Sequence, residues 1–308
     1  MNNQIPTRFE PHDLAGRLGL NVPREAWPTN RTLGAHAGAG FRWIQMHAPP
    51  GPVVVDRVAA RRHARSLRGL LEPTGLRLII HAPDTLSAGT PEGDRAVAGV
   101  LEHAAEAGAE IIVYHGLNFP LLDGPQGRTA RERAALEEAS LQVLLQRAHA
   151  LGMRVAIENL APVYAGPARL CHDPLAVRDL VRRLESPAAG MLLDIGHLNI
   201  TSDEHRSDSA AIATACAADV VLFHLHDNFG ARRRMIDAAG VDPLRLDLHL
   251  APGAGTVPWA QLAPTLEGHD APLLLEVQPQ HRPPLADLQR QAAGLISAAT
   301  AASTPVAV

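Results

Sequence analysis

Short apolar runs recur along this chain, and most of them stop at a histidine, an aspartate or a glutamate. The runs fall at 18–22, 41–47, 76–81, 111–115, 154–158, 191–194, 220–224 and 273–276. Each is nearly continuous in apolar character, which suits a strand covered on both faces, as in a parallel sheet. Longer segments rich in Ala, Leu, Arg and Glu separate them. Their pattern predicts helices over 54–72, 92–107, 129–151, 174–184, 209–217, 259–266 and 285–299.

Eight strand–helix units in 308 residues predict an α/β chain closed into a single (β/α)8 barrel, with one domain over 1–308. A doubly wound open sheet is the competing topology. It calls for a GxGxxG turn after the first strand, and none follows residue 22. The one long insertion, 229–246, follows the seventh strand, carries Arg232-Arg233-Arg234 and has the length of a lid. The small, uncharged segment 300–308 is expected to fray.

Composition removes several function classes. All 28 basic residues are arginines. Without lysine there is no Schiff-base chemistry, no pyridoxal phosphate anchor and no Walker A loop. The formal charge of −4 and only ten aromatics argue against a nucleic-acid partner. Cys171 and Cys216 have no CxxC neighbour and form no sulfur-rich zinc site. The first 13 residues lack a signal pattern, and no apolar run reaches the ~18 residues of a membrane span, so a cytoplasmic protein without a membrane partner is expected.

The polar residues that close the runs are His81, His115, Glu158, Asp194, His224 and Glu276. In a parallel barrel all strand carboxyl ends lie on one face, so these six converge on one mouth. A lone histidine there is ordinarily structural. Six ionisable groups in succession need a compensating charge, because buried carboxylates repel one another and lose solvation. A divalent metal supplies it. His197 follows Asp194 by three residues, and Asp247 and His249 are spaced to share one side of an extended segment. Gly253 and Gly255 then permit a tight turn near bound ligand. The all nitrogen-and-oxygen donor set suits Zn²⁺, Mn²⁺, Co²⁺ or Fe²⁺, with one to three ions. His226 and Asp227 are read as groups that fix the loop or orient ligands, and Asn159 as a hydrogen-bond partner of substrate or of a ligand. His47 stands equally as a substrate contact or a structural residue, and Trp259 as packing.

Ile157-Glu158-Asn159, Leu193-Asp194-Ile195-Gly196-His197, His224-Leu225-His226-Asp227-Asn228, the stretch from Asp247 to Gly255 and Leu275-Glu276 together resemble the xylose-isomerase-like TIM barrels. That superfamily includes sugar-phosphate isomerases and epimerases and the endonuclease IV type of apurinic-site nuclease (AP endonuclease family 2). The resemblance covers strands three to eight. In the isomerase branch it implies one metal on Glu158, Asp194, His224 and Glu276, with His197 contacting substrate. In the endonuclease IV branch it implies up to three zinc ions on His81, His115, Glu158, Asp194, His197, His224, Asp247, His249 and Glu276. The chain departs from many relatives in having Gln45 where they carry an acidic residue, and Asp-x-His where many epimerases carry an Arg-containing segment.

Two enzymatic readings follow. In the first, the protein is a metal-dependent sugar or sugar-phosphate isomerase or epimerase. Glu158 and Glu276 exchange a proton through a stabilised enediolate, and His197 holds a substrate oxygen. In the second, it is a di- or trinuclear hydrolase of the endonuclease IV type, with His81, His115, Asp247 and His249 holding further ions. A non-catalytic sugar- or metal-binding barrel is the third alternative. The expected partner is a small sugar or sugar phosphate, with homo-oligomerisation open.

Overall fold

In the computed structural model, residues 13–49, 51–123, 127–231, 242 and 244–302 are described. Eight parallel strands close into a barrel in sequence order. They are β1 (Leu18–Asn21), β2 (Trp43–His47), β3 (Arg77–His81), β4 (Ala109–Tyr114), β5 (Arg154–Glu158), β6 (Ala189–Asp194), β7 (Val220–Leu225) and β8 (Leu273–Leu275). The ring closes where Leu18 and Gly19 of β1 pair with Leu273 and Leu274 of β8. The helices are α1 (Leu14–Arg17), α2 (Asn30–Gly38), α3 (Gly51–Val55), α4 (Arg57–Leu71), α5 (Pro91–Ala107), α6 (Ala130–Ala150), α7 (Pro174–Leu184), α8 (Ile195–His205), α9 (Ser209–Cys216), α10 (Trp259–Glu267) and α11 (Leu285–Ala302). The expected (β/α)8 barrel is therefore present.

The boundaries differ in ways that have local causes. His115 and Glu276 lie one residue beyond the ends of β4 and β8 rather than within them. The helix expected over 54–72 is interrupted at Asp56, whose carboxylate accepts from Val58 N and Ala59 N and so starts α4 as an N-cap. Two helices had no clear periodic signal. α2 contains two interior glycine or threonine breaks in its apolar pattern and is held at its start by the Thr29–Thr32 capping box. α8 is buried on every side over its first eight residues, so it has no amphipathic stripe to detect. α11 continues through residue 300, where fraying was expected, to Ala302. Residues 303–308 and most of the expected lid, including Arg232–Arg234, lie outside the described residues.

Two apolar layers fix the position of the site. The larger one packs the outer face of the strands against the helices. The smaller fills the barrel with Trp43, Ile79, Ile111, Val113, Ala156, Leu192, Val221, Leu222 and Leu274. Trp43 crowds the interior so closely that a Cβ on Gly19 would lie 2.7 Å from its own Cβ. The Arg77 guanidinium stacks 3.8 Å from the Trp43 ring.

Alternate residues of a strand share a face. Two residues beyond inward-facing Ile79, Val113, Ala156, Leu192, Leu222 and Leu274 stand His81, His115, Glu158, Asp194, His224 and Glu276. The apolar core thus ends in a polar layer at the carboxyl ends of the strands. Among the described residues, no helix is long and apolar enough to cross a membrane.

Candidate metal centre

Glu158, Asp194, His224 and Glu276 come together with one donor atom each, all within 4.8 Å of one another. His224 Nδ1 lies 3.4 Å from Glu158 Oε1, 3.5 Å from Asp194 Oδ2 and 3.2 Å from Glu276 Oε2. All four residues are buried. Burial pushes the three carboxyls up, but the surrounding imidazoles reverse this and hold Glu158 and Glu276 well below the carboxylate range. Asp194 is likewise held low, chiefly by His197 and His226 against the effect of burial. Burial pulls His224 down, and Glu276 and Glu158 drive it well above its ordinary value. Without a cation, protons on the imidazoles balance this charge.

The hydrogen bonds decide which nitrogen each imidazole turns toward the carboxylates. Carbonyl oxygens only accept, so a ring nitrogen beside one must donate. His81 Nδ1 donates to Ala82 O (2.6 Å), His197 Nδ1 to Asn159 O (2.9 Å) and His249 Nδ1 to Glu276 O (2.8 Å). Their Nε2 atoms are left facing carboxylates. Gln45 does the same for His224. Its Nε2 donates to Glu276 Oε1 (2.8 Å), which turns its Oε1 toward His224 Nε2 (2.8 Å). Nδ1 of His224 then faces the centre. Orientation of metal-binding histidines through the second nitrogen is the usual device at such sites.

Two further clusters adjoin the first. His81, Asp84 and His115 form one, with His115 Nε2 3.0 Å from Glu158 Oε2. His197, His226, Asp247 and His249 form the other. All nine residues singled out in the sequence therefore lie in one connected group at the mouth. His226 joins them and was expected only to orient ligands or fix the loop. Its Nε2 lies 3.1 Å from Asp194 Oδ1 and 3.7 Å from Asp247 Oδ1, and its ring stacks on His249 at 4.0 Å. The i, i+2 spacing from His224 was the available signal. The ring fits only because residue 196 is glycine: a Cβ there would lie 2.1 Å from His226 Cε1.

Several buried polar atoms here have no hydrogen-bond partner: Glu158 Oε2, Asp194 Oδ2, His224 Nδ1, Asp247 Oδ1 and both ring nitrogens of His226. Buried donors and acceptors are rarely left unmatched. Carboxylates and imidazoles with lone pairs aimed at common points fit a divalent cation.

The family model for xylose isomerase-like TIM barrels matches residues 33–298. The chain belongs to that family. No curated protein sequence matches it. Among solved structures, this xylose isomerase-like barrel is similar to a D-tagatose 3-epimerase-like protein (TM-score 0.70, 16% identity, 94% of this chain and 100% of that one). It is also similar to the 3-keto-D-glucoside 4-epimerase of E. coli (TM-score 0.64, 17% identity, 91% and 98%). A third is the D-allulose 3-epimerase of Methylomonas sp. in complex with D-allulose (TM-score 0.66, 16% identity, 96% and 98%). At these identities the likeness is one of fold.

Other expectations resolve around this centre of the barrel. Asp247 and His249 do not share one extended segment, since His249 has φ 49°; its left-handed backbone turns the ring back onto Asp247 Oδ2 at 2.8 Å. Asp227 fixes the late loop. It accepts from Asn228 N, Gly253 N, Val257 N and the Trp259 indole. Trp259 is therefore both packed and hydrogen-bonded. The crowding at Gly255 is against protein rather than ligand: a Cβ there would lie 2.1 Å from Asn228 O. Asn159 clamps β5 to β6, giving its amide to Asp194 O and accepting from Asp194 N. His47 lines the mouth, a cavity of about 970 Å³ that also reaches Arg24, Asn118, Arg169, His172 and Arg245.

Proposed function

We propose that this protein is a metal-dependent isomerase or epimerase of a sugar or sugar phosphate. The observation that carries the reading is the placement of Glu158 Oε1 and Glu276 Oε2 beside His224 Nδ1, at 3.4 and 3.2 Å. Glu158, Asp194, His224 and Glu276 would hold the cation. When bound, it would polarise a substrate carbonyl and lower the energy of the negative oxygen that forms beside it.

Glu158 comes from β5 and Glu276 follows β8, so the two carboxylates approach the mouth from different walls of the barrel. One takes the proton from the carbon next to the carbonyl, the C–H electron pair becomes the double bond of an enediolate, and the other returns a proton. Glu276 Oε1 is held by Gln45, which leaves Oε2 for the centre, while Glu158 turns Oε1 toward His224 Nδ1 and keeps Oε2 3.0 Å from His115 Nε2. His197, locked by Asn159 O, lines the mouth with its Nε2 3.6 Å from Asp247 Oδ2, where it can hold a substrate hydroxyl. The sugar epimerases among the structural neighbours support a sugar carbonyl compound as substrate.

The test is a panel of ketoses and ketose phosphates incubated with protein reconstituted with Mn²⁺, Co²⁺, Zn²⁺ or Fe²⁺, with epimers and aldoses followed by NMR. Interconversion of at least one pair is expected. Failure with every sugar and metal would overturn the reading.

The two adjoining clusters favour a second reading, a polynuclear hydrolase of the endonuclease IV type acting on a phosphoester or other small ester. There the extra ions would supply an activated water and neutralise a leaving oxygen. One tightly bound ion per chain would exclude it.

A further inference from the structure

Among the described residues, three arginines line the mouth: Arg24, Arg169 and Arg245. Arg24 is neutralised by Asp84 at 2.5 Å. The other two have no carboxylate partner among the described residues. Both are only half exposed, and both are held in place by groups that carry no charge. Arg169 Nη1 donates to Asn118 O (3.1 Å) and Oδ1 (2.7 Å), which leaves Nε and Nη2 with free N–H groups. Arg245 Nε donates to Asp247 O at 2.5 Å, which leaves both terminal nitrogens free. The backbone bond from Leu246 N to Val163 O (2.9 Å) ties the segment of Arg245 to the loop after β5 that carries Arg169.

We infer that Arg169 and Arg245 form an anion subsite at the mouth, and that the substrate carries a phosphate group remote from the reacting carbon. This rests on the isomerase or epimerase reading above and narrows its substrate from sugars in general to sugar phosphates. A half-desolvated guanidinium without a counter-ion is costly, and a bound dianion removes the cost. The planar fork of arginine matches two phosphate oxygens, and prior fixing of one edge leaves the other pre-oriented. The neighbouring His172 is held down to about 4, by burial first and then by Arg169 and His197, so it adds no charge of its own and this wall stays positive through the arginines. The floor of the mouth holds the carboxylates Glu158, Asp247 and Glu276, which the neighbouring imidazoles balance, so the unmatched positive charge lies on the arginine wall. A sugar phosphate placed across this mouth would keep its phosphate away from the carboxylates and its carbonyl over them.

The test measures binding, so it does not depend on turnover. The metal-loaded protein is titrated calorimetrically with matched pairs, a ketose and its terminal phosphate. The phosphate ester is expected to bind on the order of tenfold to a hundredfold more tightly. Arg169→Gln with Arg245→Gln should erase that preference and leave the affinity for the free ketose within about twofold, with unchanged circular dichroism. Arg169→Lys should keep part of it. Equal binding of the two sugars, or a preference that survives in the double variant because the metal centre takes the phosphate, would overturn the inference. Preferential capture of an abasic DNA duplex over every sugar phosphate would overturn it too. Absence of turnover with a retained, arginine-dependent preference would instead count against the isomerase reading alone.

Discussion

Gln45 decides which face of His224 meets the carboxylates. Its carbonyl oxygen takes the Nε2 proton at 2.8 Å, and its amide is held in that sense by Glu276 Oε1, also at 2.8 Å. A neutral amide is the one side chain type of this size that accepts from one neighbour and donates to the other. Gln45→Leu removes both contacts while keeping the volume. The expected result is a 10- to 100-fold weaker affinity for the first metal ion, about what loss of such an orienting partner costs, with the circular dichroism unchanged. Unaltered affinity in a chelator-competition titration would show that His224 needs no such support.

Glu137 gives the fold a pH dependence separate from the metal centre. This buried residue of α6 accepts from Tyr114 Oη (2.5 Å) and Leu117 N (2.9 Å), and burial still pushes its carboxyl up from 4.5 to about 7. A carboxyl raised on folding favours the native state below its unfolded value, and that contribution is lost as pH rises through the folded value. Stability should therefore fall between pH 4.5 and 7, by about 3 kcal/mol for a shift of this size. Glu137→Gln should flatten the fall in Tm over this window, measured with saturating metal. Parallel curves for the two proteins would refute it.

Gly196 is where the donor cluster meets the backbone. A methyl group there overlaps the His226 ring at 2.1 Å, in a region buried on every side. Gly196→Ala should cost about 2–3 kcal/mol in urea unfolding and displace His226. A variant as stable as the parent would mean that His226 has room to move.

Metal binding should release protons. His249 is raised to about 9, burial being outweighed by Asp247, and His197 and His224 are raised as well. At neutral pH these rings carry protons that a cation must displace, so affinity should rise with pH. Calorimetry in two buffers of different ionisation enthalpy reads the number released. Identical heats in both would contradict this account.

The barrel was legible because six of the eight strands, β3 to β8, repeat one plan: inward apolar residues at period two, then one inward polar residue at the mouth. Ile79 and His81, Ala156 and Glu158, Leu222 and His224 all follow it. The same period extended by one step reaches His226, just past the end of β7 at Leu225, where the sequence suggests a group that fixes the loop or orients ligands. What the sequence did not display was pairing across the barrel. Gln45 meets Glu276 across 231 positions of chain, and Arg169 meets Asn118 across 51. Closure of the barrel brings the first pair together, and the pairing of β4 with β5 brings the second. The left-handed turn at His249 was equally hidden, since histidine rarely adopts it and nothing local demands it.

Proton transfer between Glu158 and Glu276 is the step on which the proposed catalysis depends. Metal-loaded protein in deuterated buffer, mixed with ketoses and ketose phosphates, should place one solvent deuterium on the carbon next to the carbonyl of its substrate. Glu158→Gln and Glu276→Gln, checked for metal content, should each abolish net isomerisation or epimerisation, with one of them still exchanging that hydrogen. No deuterium in any sugar, together with three bound ions per chain and cleavage of a phosphoester, would contradict it.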